Sequence, residues 1–319
     1  MKPDKIGRRE FLVRTGALGA GAAFAMAAGA EDKDKPAKPK AEKPAKSLAD
    51  KPKIKLSTPA AEKMGWRLAC QLYTFRDRSF YEAIDVIASL GIRNVEPCFF
   101  LPLSKEKPDL QTNESLSAEL RRELKQRLAD RGMKMINYYA PVNADTGVFR
   151  KIFDFAKEMG VETLVAEPPA EVFGTLDELC KEYKINLAVH NHPESPESKY
   201  WRPENVLKVC EGTSKRIGGC PDTGHYVRSG LDPVECLRKL KGRIVSMHLK
   251  DAAELGKRDS RDVPLGEGKA NYTAVLKELY TQKFRGVMTI EYEHQSPQLV
   301  EDVAKCVKFV EDFAKSLKG

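Results

Sequence analysis

The sequence predicts an α/β fold, a single (β/α)8 TIM barrel, and three observations support this prediction. Short β-rich runs alternate with helical patterns eight times after residue 65. Eight such units in about 250 residues match the size of a TIM barrel built on a parallel sheet. Polar residues end nearly every predicted strand, and Cys70 to Tyr73 stand where a doubly wound open sheet would carry a Gly-x-Gly-x-x-Gly motif. The barrel is therefore favoured over the open sheet.

The predicted strands share one signature: a helix end, often with a glycine suited to a left-handed C-cap, comes directly before a β-rich run. The strands fall within 66–73, 89–96, 130–137, 158–165, 182–189, 214–222, 240–249 and 284–293. The helices between them are predicted at 80–90, 116–131, 147–159, 176–183, 203–211, 232–241, 272–282 and 298–316. Because the carboxyl ends of barrel strands meet at one mouth, functional residues are expected there.

The net charge is concentrated in the first 65 residues. The 319-residue chain has 54 Lys and Arg against 46 Asp and Glu, a formal charge of +8. Residues 1–65 hold 15 basic and 8 acidic residues, which leaves 39 against 38 for residues 66–319. Because the barrel region is nearly neutral, it lacks the charge of a phosphate-binding face, and no nucleic-acid partner is expected.

Composition and cysteine usage narrow the class of protein. With 41% hydrophobic and 31% charged residues, the chain is neither a multi-span membrane protein nor disordered throughout. All seven cysteines follow residue 65, without a CxxC motif, and several lie inside apolar strand-like runs. Buried free thiols are therefore expected rather than a disulfide framework.

The first 65 residues are predicted to be a signal and a tether. Residues 1–30 resemble a twin-arginine signal peptide, because Arg8 and Arg9 precede a weakly apolar stretch and a small-residue site. This resemblance implies export to the periplasm or another extracytoplasmic compartment, with no stable membrane span after cleavage. Residues 31–65 are rich in Lys, Pro and Ala and bury too little apolar surface to fold. We therefore predict a disordered linker there and a barrel over 66–319.

Histidines are gathered at the predicted strand ends. All five follow residue 189, and four of them lie at or next to a strand end. A lone buried histidine is usually a hydrogen-bonded core residue, but four together with carboxylates indicate a site. Strands five to eight offer one metal ligand each, and the predicted set is His190, Asp222, His248 and Glu291.

Residues 66–319 resemble the xylose isomerase-like TIM barrels, the sugar phosphate isomerase/epimerase superfamily that also contains DNA-repair endonucleases with three zinc ions. The matching segments are LAVHNHPE (187–194), CPDTGHYVRSGLDP (220–233), IVSMHLKD (244–251), PLGEG (264–268) and VMTIEYE (287–293). The resemblance implies one divalent metal ion, Mn, Zn, Co or Mg with Mn or Zn favoured, on the four residues just given. Many relatives have Glu as the strand-five ligand, so His190 departs from the pattern and leaves His192 and Glu167 as alternatives.

The predicted site suits proton abstraction next to a carbonyl of a sugar or sugar derivative. A metal with carboxylate and imidazole ligands can chelate a carbonyl and its neighbouring hydroxyl and stabilise an enediolate. Candidate bases are Glu167, His192 and Glu291. Reprotonation gives a sugar isomerase or epimerase, which is our first prediction, and loss of a β-substituent gives a keto-sugar or keto-glycoside lyase or dehydratase. The metal site is common to these reactions, so the sequence does not choose among them.

Two other classes of function are less well supported. The endonuclease relatives carry a further Asp-x-His before the Gly-Glu-Gly turn, and here the corresponding residues 259–264 contain no histidine. A metal-dependent endonuclease-like hydrolase is therefore disfavoured. A carbohydrate-binding barrel without catalysis is disfavoured because the polar strand ends are all retained.

Further residues are assigned to the mouth. Lys250 is expected either to neutralise developing oxyanion charge or to pair with Asp251 or Glu291. Glu96 is a candidate to bind a substrate hydroxyl, with a solvated rim carboxylate as the alternative. His225 is expected beside the metal ligands or the substrate.

Aromatic side chains near the mouth are candidates to stack on a sugar ring, and those selected are Tyr73 and Trp201. The expected partner is thus a small sugar-like molecule. The oligomeric state is left open.

Overall fold

The computed structural model describes residues 56–317. The predicted signal peptide and the predicted linker up to residue 55 lie outside the described residues. Within them, eight parallel strands form a barrel covered by helices, so the predicted (β/α)8 fold is confirmed.

The barrel strands are named β1 to β8 in chain order. Their bounds are β1 Trp66–Gln71, β2 Asn94–Glu96, β3 Lys134–Met135 with Asn137–Tyr139, β4 Thr163–Ala166, β5 Asn186–His190, β6 Ile217–Cys220, β7 Ser246–Leu249 and β8 Gly286–Ile290. β1 pairs with both β2 and β8, and β8 pairs with β7. β3 pairs with β2 through its first part and with β4 through its second part. β5 then pairs with β4 and β6.

The remaining junction, between β6 and β7, has isolated bridges instead of a continuous ladder of paired residues. We call it the β6/β7 seam and define it as residues 217–222 and 243–249. Isolated parallel bridges join Gly219 to Ile244 and Asp222 to His248. A Cβ atom on Gly218 would lie 2.1 Å from the carbonyl oxygen of Arg243, so glycine is required for this approach.

Ten α-helices lie within residues 56–317. Their bounds are α1 Pro59–Lys63, α2 Phe80–Ser89, α3 Ala118–Ala129, α4 Phe149–Met159, α5 Phe173–Tyr183, α6 Pro203–Cys210, α7 Thr223–Arg228, α8 Pro233–Lys239, α9 Tyr272–Thr281 and α10 Leu299–Ser316. Eight of them match the predicted helices, with small differences at the ends. α1 and α7 have five and six residues, too few to show a helical period.

Helix α1 lies at the end of the segment predicted as linker. Ala60 and Ala61 are buried, and their N–H groups donate to the carboxylate of Glu311 at 3.0 to 3.1 Å. Glu311 belongs to α10 and is itself buried. A carboxylate at a helix amino terminus satisfies N–H groups that have no partner within the helix, so α10 holds α1 in place.

The core between strands and helices is apolar. All seven cysteines are buried and free, as predicted. No helix in the described range is both long and apolar enough to cross a membrane.

Candidate active site

Four side chains meet at the carboxyl ends of β5 to β8. One donor atom from each lies within 4.8 Å of the others, and all four residues are buried. They are the predicted ligand set, His190, Asp222, His248 and Glu291. Consecutive parallel strands bring their ends to one mouth, which explains why residues far apart in the chain meet there.

Two atoms of this cluster lack hydrogen-bond partners. His190 Nε2 and Asp222 Oδ2 are buried and make no hydrogen bond, and they lie 3.6 Å apart. The nearest cation to Asp222 Oδ2 is Lys250 Nζ, at 3.2 Å. Unpaired buried polar atoms are costly, about 1 to 3 kcal/mol each, so they indicate a missing partner. Two imidazoles and two carboxylates are a donor set that fits a divalent transition metal or Mg.

Each imidazole of the cluster has one ring nitrogen in contact with a further carboxylate. His248 Nε2 lies 2.7 Å from Glu96 Oε1, and His190 Nδ1 lies 3.1 Å from Glu167 Oε1. The other nitrogen of each ring, His248 Nδ1 and His190 Nε2, therefore faces the cluster. Carboxylates in this position orient metal-binding imidazoles and fix their tautomers.

Glu96 is not at the substrate surface. It is fully buried and accepts hydrogen bonds from Asn137 Nδ2 at 2.9 Å and Thr289 Oγ1 at 3.0 Å, in addition to its contact with His248. The alternative of a solvated rim carboxylate is therefore wrong, and Glu96 contacts His248, whereas we predicted contact with a substrate hydroxyl.

Lys250 forms ion pairs with two members of the cluster and with Glu293. Its buried Nζ lies 3.2 Å from Asp222 Oδ2, 3.1 Å from Glu291 Oε2 and 3.1 Å from Glu293 Oε1. Burial opposes the charged form, but these carboxylates outweigh it and raise the pKa of Lys250, so the side chain stays cationic. Asp251 does not pair with it, since its carboxylate accepts main-chain N–H bonds from 252, 266, 268 and 270.

His225 lies beside Asp222 and Lys250. Its main-chain N–H donates to Asp222 Oδ1 at 2.9 Å, which caps α7, and its Nε2 lies 3.2 Å from Lys250 Nζ. Burial, helped by the Lys250 charge, holds the pKa of His225 far below its usual range. The neutral ring is next to a predicted metal ligand, as the sequence led us to expect.

A network that the sequence did not predict adjoins Lys250. The guanidinium of Arg228 donates to Asp262 Oδ1 at 2.6 Å and to the Ser260 carbonyl at 3.0 Å, and it also pairs with Glu293. Arg228 lies in α7, three residues after His225, and only the prediction of that short helix would have placed it at the site.

Carboxylates outnumber cations in this connected set. Two permanent cations, Lys250 and Arg228, face six carboxylates: Glu96, Glu167, Asp222, Asp262, Glu291 and Glu293. Burial raises the pKa of Asp262 to about 7. Even with Asp262 uncharged, negative groups are in excess, which is the electrostatic setting for a divalent cation.

Glu167 bridges two imidazoles at the mouth. Its Oε1 contacts Nδ1 of both His190 and His192 and accepts a hydrogen bond from Tyr139 at 3.2 Å. Burial alone would raise its pKa, but the two imidazoles lower the pKa of Glu167 to about 2. His192 is 48% exposed, and Nε2 is its free ring nitrogen. Of these two predicted bases, His192 is the more exposed, at 48% against 21% for Glu167.

The two predicted stacking residues each carry a guanidinium over the ring. Arg76 lies 4.6 Å from the ring centre of Tyr73, and Arg202 lies 4.2 Å from that of Trp201. Both aromatic residues are only partly buried. Tyr73 shares a cavity with Arg228 and Glu293, and the described contacts do not link Trp201 to the cluster.

Residues 84–310 match the family of xylose isomerase-like TIM barrels. The chain belongs to this family. A solved structure of an uncharacterized protein from Parabacteroides distasonis, at 30% identity and a TM-score of 0.62, covers 78% of this chain and 99% of its own. The structure of the IolI protein with a bound zinc atom shares the fold, with a TM-score of 0.60 at 18% identity over 78% of this chain and 98% of that one.

Curated relatives match the chain over shorter regions. An inosose dehydratase of Clostridium perfringens is 28% identical over 155 residues, which are 44% of this chain and 50% of the dehydratase. Across the curated relatives, the matched regions span between 41% and 53% of their length.

Proposed function

We propose that the protein is a metal-dependent enzyme of the sugar isomerase/epimerase type, which removes a proton next to the carbonyl of a sugar or sugar derivative. The observation that carries this proposal is the buried cluster of His190, Asp222, His248 and Glu291, in which His190 Nε2 and Asp222 Oδ2 make no hydrogen bond. The zinc atom bound by the IolI protein, a neighbour in fold, supports it.

The four residues would hold one divalent ion, with Mn or Zn favoured. When bound, the ion supplies Lewis-acid polarisation of a carbonyl and the adjacent hydroxyl. Lys250 adds a fixed positive charge beside Asp222 and Glu291, which offsets negative charge that develops on the ligand as the proton leaves.

His192 is the proposed base. Glu167 engages Nδ1 of the ring, so the lone pair lies on Nε2, and the same carboxylate stabilises the imidazolium after the proton has moved. Glu291 is less suited, since its Oε2 is in contact with His248 Nδ1 at 3.0 Å and Lys250 Nζ at 3.1 Å.

Dehydration is the second candidate reaction. Protonated His192 can return its proton to carbon, which isomerises or epimerises the sugar, or to a leaving β-hydroxyl, which expels water. The curated relatives named inosose dehydratase favour the second outcome. Because the matched regions cover only about half of each of these relatives, we propose both reactions.

The experiment joins metal analysis to solvent-proton exchange. We expect about one equivalent of metal in protein purified without chelator, and incorporation of deuterium from solvent into a keto sugar. Asp222→Asn should lose the metal, whereas the same change at exposed Asp130, at the far end of the barrel, should keep it. His192→Ala should keep the metal and slow exchange by roughly 10² to 10⁴.

Two results would contradict the proposal. One is metal-free protein whose thermal stability does not rise when Mn, Zn, Co or Mg is added. The other is a His192→Ala variant that exchanges protons as fast as the unchanged protein, which would remove His192 as the base.

We also propose that the enzyme works outside the cytoplasm, on the resemblance of residues 1–30 to a twin-arginine signal peptide. Amino-terminal sequencing of protein recovered from the periplasmic fraction tests this. Recovery of the uncleaved chain from the cytoplasm alone would contradict it.

A further inference from the structure

A polar cavity of about 350 Å³ opens at the barrel mouth beside the four proposed ligands His190, Asp222, His248 and Glu291, which we call the metal-ligand cluster. Glu293 forms its wall toward the cluster, with Oε1 3.1 Å from Lys250 Nζ. Tyr73 and Arg76 line it from the turn that follows β1. The cavity is thus adjacent to the reaction centre, and part of a ligand held at the cluster would extend into it.

Most charges of this cavity are already balanced within the protein. Asp262 and Glu293 are paired by Arg228, and Glu293 is also paired by Lys250. Asp259 and Arg261, two positions apart in the chain, are both exposed and of opposite charge.

Arg76 is the exception, because no described carboxylate pairs with it. Its NH1 donates to the Tyr73 carbonyl at 3.2 Å, its NH2 donates to the Glu293 carbonyl at 2.8 Å, and its guanidinium covers the Tyr73 ring. These neutral acceptors fix the orientation of the half-buried side chain without neutralising it. A guanidinium has five N–H donors, so donors remain for a ligand.

We propose that Arg76 recognises an oxyanion, a carboxylate or a phosphate, that the substrate carries a few carbon atoms from its carbonyl. A preoriented guanidinium binds either group through two parallel hydrogen bonds. Arg76 is held against the main chain of Glu293, two residues after Glu291, so the oxyanion lies close to the metal-ligand cluster. Resting on the proposed function, this inference narrows its substrate class to acidic keto sugars.

The test compares three ligands that share a keto group and differ at one terminal carbon: fructose, fructuronate and fructose 6-phosphate. Titration calorimetry on the full chain loaded with Mn gives the affinity for each. We expect at least one acid to bind ten- to a hundredfold more tightly than fructose, the range for a charge-assisted hydrogen bond. Preference for fructuronate identifies a carboxylate, and preference for the phosphate ester identifies a phosphate.

Variants assign the preference to one side chain. Arg76→Ala should reduce the ratio of acid to fructose affinity at least tenfold. Arg76→Lys keeps the charge but lacks the planar guanidinium, so it should reduce this ratio less than Arg76→Ala does. It replaces the alanine variant in the test if that variant does not fold. Arg93→Ala makes the same change in charge at the opposite end of the barrel, before β2, and should leave the ratio as it is.

The inference is overturned if the three ligands bind equally, if neither acid binds, or if the ratio is unchanged in both Arg76 variants. Deuterium exchange separates this failure from that of the proposed function. Exchange without an acid preference overturns the inference alone. An Arg76-dependent acid preference without exchange overturns the proposed function alone.

Discussion

Glu167 shows how the neighbours of one side chain decide its role. Its sequence position, after β4, made it a candidate base or metal ligand. In the structure it contacts two imidazoles, which lower its pKa to about 2. A carboxylate this acidic is a poor proton acceptor near neutral pH, and it is better suited to hold His190 and His192 in position.

The low pKa of Glu167 predicts a loss of stability in acid. Because its pKa in the folded state is below the value of about 4.3 in an unfolded chain, its contribution is present above pH 4.3 and is lost as the pH falls toward 2. At pH 6, the free energy of unfolding of the apo protein should be roughly 1 to 3 kcal/mol higher than that of the Glu167→Gln variant. Urea titrations from pH 6 to pH 2 should show this difference shrinking, and a constant difference would contradict the assignment.

The four residues of the metal-ligand cluster were predictable individually, because each lies at or next to the end of a predicted β-rich run. The complete burial of Glu96 was not predictable, since the sequence pattern does not show how deeply the end of β2 lies in the barrel. Arg76 and Arg228 were missed for a related reason. Their positions depend on a 3-10 turn and a six-residue helix that carry no periodic signal.

Among the elements, α1 is a helix in a segment whose composition predicts a linker, because tertiary contacts stabilise it. Its five residues, PAAEK, fall in a stretch that reads as linker, yet a carboxylate from α10 accepts its first N–H groups. The helix exists because α10 supplies this acceptor and covers its buried alanines.

Replacing that acceptor should release the helix. Glu311→Ala removes a buried carboxylate bonded to two main-chain N–H groups, and we expect the free energy of unfolding to fall by about 1 to 3 kcal/mol. Proteolysis should also become faster around residues 56–65. Asp312→Ala, at the adjacent and more exposed position, is the matched control. Equal stability of the two variants would show that Glu311 does not anchor α1.

For the whole molecule, the alternation of strands and helices was enough to predict the barrel, since eight parallel strands joined by seven crossovers have few other arrangements. The interrupted strand pairing between β6 and β7 was not predictable. The β6/β7 seam depends on isolated bridges and on the missing Cβ of Gly218, and both are properties of the closed ring.

Metal binding should strengthen that seam most. Asp222 and His248 pair across it and both belong to the metal-ligand cluster, so a bound ion would tie its two sides together. Hydrogen exchange of amides at 217–222 and 243–249 should slow on adding Mn or Zn by a larger factor than exchange in β1. Equal protection of all strands would show that the ion does not act at the seam.

The pairing of β1 with β8 also sets the order in which the protein can be completed. The first strand waits for the last one, and Glu291 follows that last strand directly. Until β8 has been made and has paired with β1, neither the closed ring nor the full set of four side chains exists. The proposed metal ion would therefore find a finished site only after β8 and Glu291 have joined the barrel, so that ring closure is a precondition for loading.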